Sequence, residues 1–428
     1  MRKYFLLAFI ILLSALAACG ENSERGVYTA GYGHPQEAES TATPPPPYTA
    51  TPPPTPPTEA PITEASPTPS PICEADVWIA GLDLREKIGQ LIMPRLPWQT
   101  TQVSAATVNW LADYPVGGII LFADNVSTIQ QVQALTADLQ AASRHPLFIS
   151  TDEEGGRVSR VGRLFADEEF VVQPAYDIGQ NSTAMLASMT GQVIGERLLY
   201  LGINMNFAPV ADLWTNPANT VIGNRSFGSD PEIAGHFVAT TVRGLNSAGV
   251  LSTLKHFPGH GDTYEDSHYL LAVYPHDRER FDNVEAVPFI RGIEAGAHLV
   301  MMGHIATPQL QNPTAPLYWM EPWLTSGTLP ATFSDFWVQD VLRGEMGFDG
   351  LVITDALEMR ALTDHFTPQQ IALGAFIAGA DILLMPTDIP ATFDALIEAY
   401  QDGTFDTERL HQSLRRIFRA RQAAGLVV

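Results

Sequence analysis

The chain has 428 residues with 47 acidic and 24 basic side chains, which gives a formal charge of −23 at neutral pH. This balance argues against binding to nucleic acid and against electrostatic attraction to anionic lipid. The chain is long enough to bury a large core, but its charge does not identify a substrate.

The N-terminus has the pattern of an export signal. Basic residues precede an apolar run over residues 4–18, whose length suits a signal-peptide core and is short for a spanning helix. The run ends in Leu-Ala-Ala-Cys at residues 16–19, which resembles a bacterial lipobox. We therefore expect removal of residues 1–18, acylation of Cys19 and an extracytoplasmic protein held on a bacterial membrane. The alternative is an ordinary signal peptide followed by an incidental cysteine.

A proline-rich segment follows this cysteine. Thirteen of the 33 prolines lie within residues 41–71, interleaved with Thr, Ser and Ala. Such a composition cannot bury a core, and proline favours an extended backbone, so we interpret residues 19–74 as a disordered linker. A segment that binds a partner protein is the alternative. Cys73 is the only other cysteine, so it has no partner for an intrachain disulfide if Cys19 is acylated.

The remaining residues, 75–428, contain short apolar runs that alternate with helical patterns. The runs are Gly89–Pro94, Gly117–Phe122, Pro146–Thr151, Ile203–Val210, Val250–Leu254, His298–Met302, Gly350–Thr354 and Ala380–Met385. Apolar side chains at helical spacing predict helices over Thr128–Ser143, Thr183–Leu201 and Thr407–Ala424. Near-continuous apolar runs are typical of parallel strands covered on both faces. We therefore predict an α/β domain built as a single (β/α)8 TIM-type barrel, with an open doubly wound sheet as the alternative.

Polar residues follow several of these predicted strands. They are Asp152, Asp212, Lys255 with His256, His304, and Asp355. Enzymes of the barrel class place their active sites at the carboxyl ends of the strands, so we expect these segments to converge on one pocket.

The segment 255–268 has the highest density of side chains that carry protons. In an extended loop, residues two apart can point the same way, so Asp266 can orient His268 and stabilise its charged form. Asp355 follows an apolar run and is expected to face the same pocket. A carboxylate opposite an acid/base group fits either glycoside hydrolysis or metal-assisted hydrolysis.

The run KHFPGHGDT at residues 255–263, followed by Asp266 and His268, closely resembles the signature of family 3 glycoside hydrolases. It is most similar to the β-N-acetylglucosaminidase branch of that family. Further segments agree with the resemblance, at residues 152–158, 224–228, 330–334 and 347–359. The resemblance extends from about Leu84 to the C-terminus.

The resemblance implies a retaining exo-glycosidase that releases terminal β-linked N-acetylglucosamine from muropeptides or chito-oligosaccharides. Asp355 then occupies the nucleophile position, His268 the acid/base position, and Asp266 the position of its partner. The residues that match sugar-binding positions are Asp152, Arg160, Arg225, Lys255 and His256. The family needs no metal or organic cofactor, and the expected partner is a carbohydrate. Glu153, where relatives often have glutamine, is interpreted as a minor departure.

Several alternatives stay open at this point. A phosphorylase uses the same covalent intermediate, and a histidine repels phosphate less than a carboxylate does. A metal-dependent hydrolase is suggested by His256, His260, Asp262, Asp266 and His268, and a non-catalytic sugar-binding lipoprotein is a further possibility. Three single residues also have competing interpretations. Asp355 can cap a helix, Glu358 can be the nucleophile instead, and His304 can either line the pocket or pack.

Overall fold

The structure, a computed structural model, describes residues 74–167, 169–310 and 315–426. The predicted signal peptide, Cys19, the linker up to residue 73 and Cys73 lie outside the described residues. The interpretation of these segments, and the boundaries drawn between them, therefore stay predictions. Among the helices that the structure describes, none has both the length and the apolar composition needed to cross a membrane.

Each of the predicted apolar runs contains a strand. In the described residues the strands are β1 (Ile92–Met93), β2 (Gly118–Ile120), β3 (Phe148–Thr151), β4 (Glu153–Gly155), β5 (Val158–Ser159), β6 (Met205–Asn206), β7 (Leu251–Phe257), β8 (Ala272–Val273), β9 (Leu299–Met302), β10 (Ile305–Ala306), β11 (Leu351–Thr354) and β12 (Leu383–Leu384). The pairs β4–β5 and β8–β10 were not predicted, because these short segments contain no apolar run to mark them.

The central sheet is parallel and its strand order follows the chain. Six strands pair in the order β11-β9-β7-β6-β3-β2, and β1 pairs in parallel with β12. Single parallel bridges join Arg95 to Ile120 and Ile353 to Ile382. A doubly wound sheet reverses its strand order at a switch point, and this sheet does not. The α/β class is therefore confirmed, and the doubly wound alternative is wrong.

Helices connect the strands, and their ends follow the capping residues of the sequence. The α-helices are α1 (Glu74–Ala80), α2 (Leu84–Gly89), α3 (Ala105–Asp113), α4 (Ile129–Ala142), α5 (Ala175–Asn181), α6 (Ala184–Tyr200), α7 (Pro231–Ala248), α8 (Arg278–Arg280), α9 (Ala286–Glu294), α10 (Glu321–Thr325), α11 (Arg360–Thr363), α12 (Pro368–Ala378), α13 (Ile389–Gln401) and α14 (Thr407–Ala423). Segments Phe281–Glu285 and Phe336–Glu345 are π-helical. The side chains of Thr128, Thr183 and Asp406 accept backbone N–H bonds at the starts of α4, α6 and α14, as N-caps do.

The core lies between the sheet and the helices that cover it. Every residue of β3, β7, β9 and β11 is buried, as expected for parallel strands covered on both faces. Aromatic contacts fix the helices against β7, with the ring centroid of Phe257 at 5.1 Å from that of Phe289 and 5.6 Å from that of Trp337. Because the strands are parallel, the loops after them gather at one edge of the sheet, which we call the carboxyl edge.

One predicted strand end was wrong. Lys255 and His256 were placed after the fifth strand, but β7 continues to Phe257 and includes both residues. The prediction stopped at the first charged residue, because charged side chains are almost never fully buried without a partner. Here both side chains have carboxylate partners, so the strand continues through them.

Candidate active site

Asp355 directly follows β11 at the carboxyl edge. Its backbone N–H donates to the carbonyl of Met302, and its Oδ1 accepts from the N–H of Ala356 at 2.7 Å. Burial favours the neutral acid, but His256, His304 and the Ala356 bond outweigh it and lower the pKa of Asp355 to about 2. The nearest helix, α11, has Met359 as its N-cap, so the capping interpretation of Asp355 is wrong. The carboxylate is ionised at neutral pH, as a nucleophile requires.

His268 and Asp266 form a pair in the loop after β7. Nδ1 of His268 lies 2.8 Å from Oδ1 of Asp266, and the backbone N–H of His268 donates to the same oxygen at 2.9 Å. The Asp266 carboxylate therefore fixes Nδ1 as a donor and leaves Nε2 free for a proton transfer. The carbonyl of His268 accepts from the N–H of Arg360, which ties this loop to the segment that follows Asp355.

Asp355 and His268 line the same pocket at the carboxyl edge, about 180 Å³ in volume. This is below the range typical of sites for drug-sized ligands, and it suits a single sugar ring. The polar side chains that line it are Asp152, Arg160, Arg225, Lys255, His256, His260, Ser267, His268 and Asp355, and the apolar ones include Phe122, Phe207, Met301 and Met385. All of the predicted sugar-binding residues are in this set, and Asp266 reaches the pocket through His268.

A compensated network of charges forms one wall of the pocket. Nζ of Lys255 lies 2.7 Å from Oδ1 of Asp152 and 2.6 Å from Oε1 of Glu154. Arg225 binds Glu154 through two bonds of 2.8 Å each. Burial opposes the charges of Glu154, Lys255 and Arg225, but Lys255 and Arg225 lower the pKa of Glu154, and the two carboxylates raise the pKa of Lys255. The wall therefore presents fixed, ionised hydrogen-bonding groups to the pocket.

Asp212 does not line the pocket, but it binds His256 and His260, which do. Its carboxylate lies 2.7 Å from Nδ1 of His256 and accepts the backbone N–H groups of His256 and His260. Burial opposes its charge, but His256 and these bonds outweigh it, so the pKa of Asp212 is lowered. Nδ1 of His256 is thereby a donor, which leaves Nε2 as the acceptor that faces Nη2 of Arg225 at 3.4 Å.

Arg160 is held in the loop that follows Glu153. The Glu153 carboxylate accepts from Ser159 Oγ at 2.6 Å and from the backbone N–H groups of Arg160 and Val161 at 2.7 and 2.8 Å. Burial without a cationic partner nevertheless raises the pKa of Glu153. Nε of Arg160 is buried and has no hydrogen-bond partner within the described residues, and the Arg160 side chain lines the pocket.

Two histidines near Asp355 and His268 have mainly internal partners. His304 is fully buried, with Nε2 donating to the carbonyl of Ala356 at 3.0 Å and Nδ1 at 2.7 Å from Thr332 Oγ1. It packs and does not line the pocket. His260 lines the pocket but also binds Ser267 and Thr263 within its own loop.

Asp262 and Glu358 point to other partners. Asp262 pairs with His276 at 2.6 Å and with Arg280 at 3.3 Å, so it shapes the loop. Glu358 is exposed, pairs with Arg95 at 3.7 Å and is absent from the pocket lining, which removes it as a competing nucleophile. In the part of the chain that the structure describes, no three His, Cys, Asp or Glu side chains are grouped to hold a metal ion.

Sequence reasoning missed the supporting carboxylates of the site. Glu154 was quoted only as part of a motif, and Asp212 only as a strand-end residue, yet both hold pocket residues by ion pairs. Glu153 was treated as minor, although it holds the backbone of the Arg160 loop. Their position after strands was a usable signal, but their partners lie far away in the chain and cannot be read from local spacing.

The sequence of the chain is similar to those of known glycoside hydrolases. The model of the glycosyl hydrolase family 3 N-terminal domain matches residues 83–420. Beta-hexosaminidase A of Pseudoalteromonas piscicida is 37% identical over 322 residues, which cover 72% of this chain and 53% of that protein. Beta-hexosaminidase of Stenotrophomonas maltophilia (strain K279a) is 35% identical over 316 residues, which cover 72% of this chain and 87% of that protein. The chain thus spans about half the length of the first relative and most of the second.

Solved structures of other enzymes are also similar to this chain. A glycoside hydrolase family 3 β-N-acetylglucosaminidase from Paenibacillus sp. str. FPU-7 is similar with a TM-score of 0.73 and 38% identity, over 80% of this chain and 63% of that chain. The β-glucoside phosphorylase BglX is similar with a TM-score of 0.71 and 25% identity, over 82% and 60%. The curated relatives support a glycosidase. Because the family model covers most of its length, the chain belongs to glycosyl hydrolase family 3.

Proposed function

We propose that this protein removes terminal β-linked N-acetylglucosamine from muropeptides or chito-oligosaccharides with retention of anomeric configuration. The observation that carries the proposal is the position of an ionised Asp355 and an Asp266-oriented His268 on one small pocket. The β-hexosaminidase relatives support the sugar class.

In the first step, the carboxylate of Asp355 attacks the anomeric carbon as the bond to the leaving oxygen breaks. His268 donates a proton from Nε2 to that oxygen, and the sugar becomes an ester of Asp355. The Asp266 carboxylate at 2.8 Å stabilises the imidazolium that gives the proton and orients its ring.

In the second step, the neutral His268 takes a proton from a water molecule. The resulting hydroxide attacks the anomeric carbon and breaks the ester, which regenerates the Asp355 carboxylate and the protonated imidazole. Two displacements at the same carbon retain its configuration. An imidazole titrates near neutral pH, so it can serve as both acid and base there.

The charged wall binds the terminal sugar in this proposal. Asp152, Lys255 and Arg225 have fixed, ionised groups that match hydroxyl donors and acceptors. The guanidinium of Arg160, which lines the pocket, is a donor for the acetamido oxygen or a hydroxyl. Since the pocket has room for about one ring, cleavage is from the chain end.

We also propose that the parallel strands close into a complete (β/α)8 barrel. The single bridges Arg95–Ile120 and Ile353–Ile382 support closure, because they connect β1 with β2 and β11 with β12. Cys19 is proposed as the acylated anchor, which places the enzyme outside the cytoplasm on a linker over residues 19–74. The lipobox-like sequence supports this part of the proposal.

Hydrolysis is preferred over phosphorolysis. The relatives with 35–37% identity are β-hexosaminidases, whereas the phosphorylase structure is 25% identical to this chain. A non-catalytic sugar-binding role is also less favoured, because both members of the proposed catalytic pair are present on the pocket.

Product analysis with the full-length protein in detergent tests the proposal. Muropeptides and chitobiose are incubated side by side, with and without inorganic phosphate, and the first-formed anomer is followed by NMR. We expect free N-acetylglucosamine as the β-anomer under both conditions. The α-anomer as first product refutes retention, N-acetylglucosamine 1-phosphate shows a phosphorylase, and binding without turnover shows a sugar-binding protein.

A further inference from the structure

Trp98 differs from the other tryptophans in its exposure. All seven tryptophans lie in the described part of the chain, and only Trp98 is exposed, at 70%. Tryptophan combines a large apolar face with a polar N–H, and such residues are concentrated at binding surfaces. The exposed indole of Trp98 is therefore a candidate contact for a ligand.

The indole is connected to the pocket by a single guanidinium group. The Arg95 guanidinium carbon lies 5.9 Å from the centroid of the Trp98 ring and 4.8 Å from that of the Phe122 ring. Phe122 lines the pocket, and the Arg160 guanidinium lies 5.5 Å from the centroid of the same ring. The row of side chains thus leads from the sugar-binding wall outward to Trp98.

Arg95 also places Trp98 on the same edge of the sheet as Asp355. Its guanidinium pairs with Glu358 at 3.7 Å and with Asp124 at 3.8 Å. Glu358 belongs to the loop that carries Asp355, and Asp124 to the loop after β2. The loops after three strands therefore meet at Arg95, beside the mouth of the pocket.

The backbone next to Trp98 is held in an unusual conformation. Gln99 has a φ of 57°, in the left-handed region that side chains other than glycine rarely adopt. Its N–H donates to Oδ2 of Asp124 at 2.8 Å, which fixes the turn. Among the described residues, the only other non-glycine residue with positive φ is Met385, which lines the pocket. Such strain is concentrated at ligand sites, so both cases fit a functional surface.

We propose that Trp98 is a stacking platform for a sugar ring on the leaving-group side of the scissile bond. The proposal rests on the proposed exo-glycosidase function. In an exo-acting enzyme the pocket takes only the terminal sugar, so every ring outside it belongs to the leaving group. Arg95 covers one face of the indole, and the exposed face packs on the C–H groups of a pyranose.

Kinetics of Trp98→Ala and Trp98→Phe in the full-length protein test the proposal. Methyl β-N-acetylglucosaminide has no ring in its leaving group, whereas chitotriose has a chain of them. We expect Trp98→Ala to lower kcat/KM for chitotriose by about 3- to 10-fold, the scale of one aromatic contact, and to leave the methyl glycoside within about twofold. Trp98→Phe keeps an aromatic face and most of the chitotriose rate.

Tyr200→Ala is the matched control. Tyr200 is 60% exposed but ends α6, which places it at the opposite edge of the sheet, ahead of β6. We expect it to change neither substrate.

The proposed stacking role of Trp98 is wrong if Trp98→Ala leaves kcat/KM unchanged for both chitotriose and the methyl glycoside, or lowers both by the same factor. If the wild-type protein releases N-acetylglucosamine from neither substrate, the proposed function fails, and the platform fails with it. Selective loss on chitotriose supports both.

Discussion

The two sides of the pocket hold their charges in different ways. On one side, Lys255 is 2% exposed and binds two carboxylates, while Arg225 binds one of them through two bonds. On the other side, His268 and Asp266 are 62% and 36% exposed, and their pairing is local to one loop. The ion pairs on the buried side therefore contribute to folding stability, whereas the His268–Asp266 pair on the exposed side contributes little to it. Changes on the exposed side should remove chemistry and leave stability, whereas changes on the buried side should affect both.

Asp355→Ala should have the largest effect on activity. The substitution removes the proposed nucleophile, and we expect kcat to fall by about 10⁴-fold or more. Steady-state release of N-acetylglucosamine measures this loss. Asp349→Ala is the control, because Asp349 precedes the same strand at its opposite end and pairs with Arg416 and Arg419, away from the pocket. Unchanged turnover in Asp355→Ala contradicts the nucleophile assignment.

His268→Ala should abolish proton transfer without unfolding the protein. We expect kcat/KM for chitobiose to fall by about 10² to 10⁴. A dinitrophenyl glycoside should lose less in this first step, because its leaving group needs no proton. The melting temperature should stay close to that of the wild type, since His268 is exposed. Equal losses on both substrates argue against an acid role, and His236→Ala on the exposed face of α7 is the control.

Lys255→Met should destabilise the protein, because Lys255 lies on the buried side of the pocket. It leaves Asp152 and Glu154 close together without their shared cation, which costs about 3–5 kcal/mol of unfolding free energy. Denaturant unfolding measures this cost, and substrate binding should weaken as well. Lys87→Met, at the only other described lysine, should lie within about 0.5 kcal/mol of the wild type. A Lys255→Met protein as stable as the wild type would show that the charged wall does not contribute to folding stability.

Glu153→Gln should have the smallest effect, and a stabilising one. Burial raises the folded-state pKa of Glu153 above its unfolded value, so the wild type loses stability as pH rises from about the ordinary carboxyl value of 4.5 through the folded pKa. Glutamine keeps a carbonyl acceptor for the Arg160 and Val161 N–H groups and does not ionise. We expect a gain on the order of 1 kcal/mol at pH 7 that vanishes near pH 4.

Thermal unfolding over this pH range measures the difference between Glu153→Gln and the wild type. Glu398→Gln, on the exposed face of α13, controls for the loss of one charge. A difference that does not depend on pH contradicts the burial account of Glu153.

The sequence predicted the exposed side better than the buried side. Asp266 and His268 are two residues apart, and their pairing follows from local spacing. The eight predicted strands were found because each lies in a short apolar run. Helices α4, α6 and α14 were found because their apolar side chains recur at helical spacing.

The buried side could not be predicted in the same way. Lys255 meets Asp152 and Glu154 only after the sheet brings β7 beside the loop of β3, so a local pattern showed just a charged residue where a strand should end. Asp212 is similar, because its role depends on backbone N–H groups of a later segment. Charges that compensate each other over long sequence separations can be assigned only when the fold is known.

Covalent labelling of the pocket tests the catalytic assignment most directly. A 5-fluoro N-acetylglucosaminyl fluoride forms the glycosyl ester quickly and releases it slowly, so mass spectrometry of proteolytic peptides can locate the attached sugar. One sugar on the peptide that contains residue 355, absent from Asp355→Asn, is the predicted result. Attachment to another residue, or turnover of the probe without any attachment, contradicts it.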